Sequence, residues 1–341
     1  MKKTLIIVLC SVLGVCLIGA GITAAIYFGT GAKNLFDNGP RVNVNKTEQL
    51  DFSGVTKVKI SSDIAELKVT PSDNPTANLS GVSVPDIAEL TVAKSGGELD
   101  ITMKVKPPYF SWTLNDYHLT VGMPESFNGD VEIQSHTGAA EMAGFNLNNV
   151  LVNSSTGRVT LDVGAKTVTA TASTGAVSLE GGNRDYQSVE LKANTGSVRA
   201  ANIKSADTVT CTNHTGSVTM ENVTAKTLTA DATTGRVILT GCSGTLTAEN
   251  GTGSIEADMV DFGDIKLNTT TGSIRLRIPD KGFSLDAHSN TGSVNSDFTI
   301  MGQITGKGRV RIGDDIKGQY GDGGPMITLS ASTGSVRIEK R

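Results

Sequence analysis

Five residues after several of the recurring glycines stand carboxylates, and carboxylates at a fixed spacing are the first thing in this sequence that could do chemistry. Asp162 and Glu180 fall on consecutive repeats, and Glu221, Asp258, Asp297 and Glu339 on scattered ones. Two carboxyl groups roughly 5 Å apart would suit a retaining glycosidase, and a wider pair an inverting one. The column is interrupted by Ala201, Thr240 and Arg277, and a position that ends a strand at a solvent corner is polar in any case. It therefore predicts a solvated edge before a catalytic pair. Asp258, Asp261 and Asp264 crowd one corner and could offer oxygen ligands to calcium, but the Gly-Gly-x-Gly-x-Asp pattern of calcium-binding rolls is missing, so a solvated loop is expected. His136 and His214 share a column just before Thr-Gly. They are four repeats apart, ~19 Å at one strand spacing per repeat, and cannot share a metal.

The remaining candidates are weaker. Cys211 falls in an inward column beside Ala and Leu, where a thiol behaves as a small hydrophobe. Cys10 and Cys16 lie in the apolar N-terminal run, and no disulfide framework follows from the four cysteines. The segment 302–308 has neither the spacing nor the hydroxyl of a phosphate-binding loop. No cofactor or metal site is expected. Tyr109, Phe110 and Trp112, behind Pro107-Pro108, concentrate aromatics in a chain only 4% aromatic. They are either a plug over an open end of the fold or a patch that docks a partner or a sugar.

These residues are positioned by a repeat. Thr-Gly recurs at Gly138, Gly157, Gly175, Gly196, Gly216, Gly235, Gly253, Gly272, Gly292 and Gly334, mostly 18 to 21 residues apart, and the last step of 42 leaves room for a further turn at Gly308. A constant period of this size is the mark of a solenoid. Two residues after the glycine comes Val159, Val177, Val198, Val218, Val237, Ile255, Ile274, Val294 or Val336, with an apolar residue usually two further on and a polar one between. That is a strand with one buried face. A second such strand precedes each Thr-Gly, with Val168, Val189, Val209, Leu228, Leu246, Ile265 and Leu285 in one column and Ala170, Leu191, Cys211, Ala230, Ala248, Leu267 and Ala287 in the next. Small β-branched and aliphatic residues must supply the core, because the chain has 39 glycines and few aromatics. The expected fold is all-β, a right-handed parallel β-helix of about eleven rungs of about nineteen residues, coiled right-handed because parallel crossovers are so overwhelmingly. A twisted β-sandwich of antiparallel hairpins at the same period is the alternative.

The organisation then divides into an N-terminal segment 1–29, a linker 30–50 and a solenoid 51–341, whose first part, 51–126, is less regular and whose repeats occupy 127–341. From Leu5 to Phe28 no charge interrupts 24 residues, about 36 Å as a helix, which is enough to span a bilayer. An uncleaved single-pass anchor is expected. Lys2 and Lys3 favour a cytoplasmic N-terminus and an extracytoplasmic bulk. Thr23-Ala24-Ala25 keeps a cleaved signal peptide open as the alternative. With a net charge of −4 and no basic footprint, nucleic acid is not an expected partner.

The run Tyr117-His118-Leu119-Thr120-Val121-Gly122-Met123-Pro124, the Thr-Gly repeats, Gly321-Asp322-Gly323-Gly324-Pro325 and the closing Ser332-Thr333-Gly334-Ser335-Val336-Arg337-Ile338 together resemble a bacterial family of β-strand repeats catalogued as putative adhesins. The resemblance covers roughly residues 50–341, and the one departure is Met123-Pro124 where Leu-Pro is commoner. It implies a pectate-lyase-like parallel β-helix, often membrane-anchored and sometimes found among envelope-stress proteins, with no established catalytic residues. The expected function is non-catalytic: an extracytoplasmic adhesion or envelope-scaffold protein whose partner is a cell-wall glycan or an envelope protein. A polysaccharide-active enzyme and a regulatory partner of a stress-response system are the alternatives.

Overall fold

The computed structural model describes residues 42–83, 86–106, 116–181, 185–305 and 314–341. Among them are 25 β-strands joined in a single sheet system, and no helix long and apolar enough to cross a membrane. The segment 1–29, the aromatic group Tyr109, Phe110 and Trp112, and the turn at Gly308 lie outside the described residues.

The repeat becomes a stack. Strand Val159–Thr174 pairs in parallel with Ala140–Thr156 on one side and with Val177–Glu180 and Asp185–Thr195 on the other, and the pattern continues layer by layer. Each column of the repeat is thus superposed on itself. Val159, Val177, Val198, Val218, Val237, Ile255, Ile274, Val336 and Val294 all point into one dry interior, opposite Val168, Val189, Val209, Leu228, Leu246, Ile265 and Leu285. Antiparallel pairing, the basis of the sandwich alternative, occurs among the described residues only towards the two ends.

Glycine is required at the corner by proximity as well as by dihedral angle. Gly216 has φ +130°, and a Cβ there would lie 1.6 Å from the carbonyl oxygen of Gly196 in the layer below; Gly253 repeats this against Gly235. No side chain fits such a gap. The amide of Gly196 donates to Thr215 O at 2.9 Å and that of Gly216 to Thr234 O at 2.8 Å, so the corners are hydrogen-bonded along the stack.

Three features differ from expectation. First, the order of layers is not the order of the chain at either end. Strand Lys57–Ile64 lies between Glu98–Val105 and Asp130–Thr137, and Glu66–Pro71 lies between Asp116–Met123 and the start of Ala140–Thr156. At the other end the final turn, Met326–Thr333 with Val336–Lys340, is inserted between Ile255–Ile278 and Phe283–Ser296. Second, the linker expected over 30–50 is too long: Val42–Gln49 is a strand, paired antiparallel along its whole length with Thr76–Ser83. It is exposed along most of its length, with only Val44 half-buried against the core, and it is held chiefly by backbone pairing. Third, six of the turns have a third inward contributor besides the two expected strands: Phe145, Val163, Ile203, Val223, Cys242 and Met259 fill the interior from the segments between corners. Aromatics gather near the ends, with Phe52 on Phe127 and with Phe283, Phe298 and Tyr320 in mutual ring contact at 4.9 to 5.6 Å.

Candidate functional site

The corner shapes the surface in front of it. In the strand that precedes each Thr-Gly, the second residue before the threonine points inward and is short: Ala172, Ala193, Asn213, Ala232, Asn250 and Thr269 are all buried. The residues on either side of it face solvent. Because the floor is short and its two neighbours stand up, a groove runs along the stack.

One stretch of this groove, about 370 Å³, is walled by Thr171, Lys192 and Thr212 on one side and Ser173, Asn194, His214 and Thr233 on the other. The next, about 480 Å³, continues with Asp231, Glu249, Asn268 and Ser330 facing Thr270 and Ser332. The two share Thr212, Asn213 and Thr233, and together they cross seven layers, about 29 Å at one strand spacing per layer. Beside it the corner threonines Thr137, Thr156, Thr174, Thr195, Thr215, Thr234, Thr252, Thr271, Thr333 and Thr291 are stacked in direct register, and every one is exposed.

The floor is braced from inside. Asn213 Nδ2 donates to Gly196 O at 2.8 Å and to Ser217 O at 3.3 Å, and Asn250 Nδ2 makes the same two contacts with Gly235 O and Ser254 O. Thr269 Oγ1 donates to Gly253 O. These bonds serve carbonyls of the corner in the layer below and, for the two asparagines, of their own corner, and so satisfy the buried amide nitrogens, while Asn213 Oδ1 and Asn250 Oδ1 are left without a partner.

Charge in the groove is sparse. Lys192 is ion-paired with Glu190. Asp231 and Glu249 are register partners on adjacent strands, and the Glu249 amide donates to Asp231 Oδ1 at 3.2 Å. Burial, with the Glu249 carboxylate beside it, holds the Asp231 carboxyl above the usual aspartate range despite that amide.

Most of the candidates singled out by sequence fall elsewhere. Glu180, on the layer after Asp162, is held by Arg199 at 3.2 Å and by Asn202. Asp258 faces Arg277 and Arg341, Asp261 is bonded to Lys281 at 2.6 Å, and Asp264 accepts the Met326 amide at 2.8 Å. The three aspartates therefore serve separate partners and do not converge. His136 lies 3.9 Å from Asp63, whereas His214 lines the groove. Cys211 is fully buried as expected, with its thiol pushed far up by burial, and Cys242 is pushed up to about 11 for the same reason. Asp231 and Glu249 were not found by sequence. Their signal was present, two acids in one outward column on consecutive repeats, but in the strand before the corner rather than after it.

Three solved structures resemble the chain. A putative adhesin from Parabacteroides merdae is 11% identical over 88% of this chain and 97% of its own, with a TM-score of 0.46. One from Parabacteroides distasonis is 12% identical over 89% and 98%, with a TM-score of 0.43, and one from Bacteroides fragilis is 12% identical over 88% and 97%, with a TM-score of 0.39. No curated protein sequence matches the chain. The model of the Toastrack DUF4097 family matches twice, over residues 55–186 and 165–339, and the chain belongs to that family.

Proposed function

We propose that this chain is a non-catalytic adhesion or envelope-scaffold protein, anchored in the membrane by its N-terminal apolar segment, that holds an extended glycan along the groove before its corners. In this reading the described stack is a right-handed parallel β-helix lying outside the cytoplasm. The observation that carries the proposal is the continuity of the groove: hydroxyls and amides of Thr171, Ser173, Asn194, Thr212, Thr233 and Thr270 recur along it with little charge. Such a surface offers the same weak contact many times, which gives avidity for a polymer and little affinity for a monomer.

The test is co-sedimentation of the full chain with insoluble cell-wall polysaccharide. Binding is expected, and Thr212→Val with Thr233→Val, which keep shape and remove hydroxyls, should weaken it several-fold. Polysaccharide that neither chain retains, or that both retain equally, would reject the groove as the binding face. Protease treatment of intact cells tests the topology, and protection of residues beyond 41 would reject it.

One arrangement favours a hydrolytic second reading. Asp231 and Glu249 are neighbouring carboxylates in the groove, and one of them is held towards its protonated form, as a general acid requires. That reading needs release of new reducing ends from the bound polysaccharide, abolished by Asp231→Asn with Glu249→Gln.

A further inference from the structure

All seven arginines among the described residues, Arg158, Arg199, Arg236, Arg275, Arg277, Arg337 and Arg341, lie within seven residues after a corner glycine. They belong to one wall of the stack. Along most of it their charge is matched. Arg199 bridges Glu180 at 3.2 Å and Glu221 at 2.6 Å, and Arg236 meets Glu256 at 2.9 Å.

The last layers break that pattern. Insertion of the final turn makes Arg337 the direct register partner of Arg275, and Glu339 the partner of Arg277. Like charges directly opposite on adjacent strands are destabilising. Glu339, whose side chain is only 10% exposed, receives Arg275 at 3.2 Å, Arg337 at 2.7 Å and Arg277 at 3.4 Å. Arg277 and Arg341 in turn reach Asp258 at 3.8 and 3.4 Å. Four guanidiniums thus share two carboxylates, while the neighbouring Lys340 and Asp280 pair one to one, and Asp297 lies further along the same column as Glu339. Each guanidinium has five N–H donors in a planar fork. The side chains of Arg275 and Arg337 remain 52% and 57% exposed, so the outer edges of their forks face solvent.

We infer that Arg275, Arg337, Arg277 and Arg341 form an oxyanion-binding surface, fitted to the phosphate groups of a polyanionic chain. Glu339 sets the spread of three forks from beneath, Glu256 on the other side of Arg275 is taken by Arg236, and a phosphate laid across Arg275 and Arg337 adds negative charge to a stacked pair that shares one carboxylate. Arginine suits this better than lysine because its fork binds phosphate oxygens in pairs. The inference is independent of the groove, which lies on the other side of the glycine corner.

Titration calorimetry of the full chain with long-chain polyphosphate tests it. Binding is expected, and it should weaken as NaCl is raised because exposed charges are screened. Arg275→Gln with Arg337→Gln should weaken it by about tenfold or more, since charge-assisted fork contacts are lost. Arg199→Gln, on the same wall but flanked by two glutamates, should leave it unchanged. Orthophosphate should bind much more weakly than the chain form. If the double glutamine variant does not fold, Arg275→Lys with Arg337→Lys keeps the charge and removes the fork, and weaker binding is still expected. The inference is overturned by absence of polyphosphate binding, by equal binding of the wild type and the folded glutamine or lysine variant, or by an equal loss in Arg199→Gln.

Discussion

The strand that precedes a corner and the strand that follows it bury the same kinds of side chain. Around Gly216 these are Val209 and Cys211 on one side and Val218 and Met220 on the other, and all four are inaccessible. Outside they diverge. The preceding wall shows Thr208, Thr210 and Thr212, a hydroxyl surface, whereas the following wall carries Arg199 with Glu180 and Glu221 and, further along, the arginines gathered on Glu339. The inward columns must be alike because every layer packs on the next in one narrow interior. The outward columns carry no such demand. Their difference is therefore the part of the sequence that packing leaves free, and substitutions can measure whether the two walls are equal inside and separable outside.

The largest effect belongs to the hinge they share. Gly216→Ala places a Cβ against Gly196 O in a backbone conformation with φ +130°, and neither neighbour can move without displacing the layer below. A loss of about 4 kcal/mol or more is expected in urea unfolding, in the range of the most damaging single substitutions. A loss under about 1 kcal/mol would mean that the corners open easily and that the walls are not held at a fixed angle. Next come the columns. Val209→Ala and Val218→Ala should each cost about 2 kcal/mol, as buried aliphatic truncations do, while Thr219→Ala, on the outer face of the same strand as Val218, should stay within about 0.5 kcal/mol. Clearly unequal costs for the two valines would break the claim that the walls are equivalent inside.

How much of this was legible follows from what a period can encode. The inward valines and leucines of the two strands were plain because alternation and a near-constant repeat both mark them. The layer order at the ends was not. All turns carry the same columns, so nothing local tells Val336 that it will lie between Ile274 and Val294 rather than beyond them. The third inward set, such as Ile203 and Val223, was hidden because the connections vary in length and blur its column. Val42–Gln49 was hidden by being an edge strand with only Val42 and Val44 apolar among eight residues. The groove was half visible: its threonines were evident as outward residues, but its depth depends on the small floor residues Ala193 and Ala232 beside a turning backbone. The stacked arginines became visible only with the layer order, since Arg275 and Arg337 stand 62 positions apart in the chain.

Smaller effects distinguish the outer surfaces. Arg199→Gln removes a half-exposed arginine between two half-exposed glutamates, and solvent screening limits the expected loss to below about 1 kcal/mol, fading further at high salt. A larger or salt-independent loss would show that the charged wall holds the fold rather than decorating it.

The preceding wall makes the opposite case, because Asp231 has a carboxylate neighbour and no arginine. Burial raises its folded-state pKa above that of the unfolded chain, the Glu249 amide opposes the rise, and the Glu249 carboxylate adds to it. The folded chain then holds this proton more tightly than the unfolded chain does. Stability from the group is full below the unfolded pKa and is lost as pH rises through the folded one. At neutral pH the ionised Asp231 is therefore a burden, and Asp231→Asn, which can still accept the Glu249 amide, should melt above the wild type. The advantage should shrink as the pH is lowered into the ordinary aspartate range, where the wild-type carboxyl is protonated in both states. Thermal melts of the two proteins across that interval decide the matter. An advantage that grows in acid, or a variant less stable at neutral pH, would show that the carboxylate is compensated in the fold, and the contrast between Asp231 beside a carboxylate and Arg199 between two glutamates would fail.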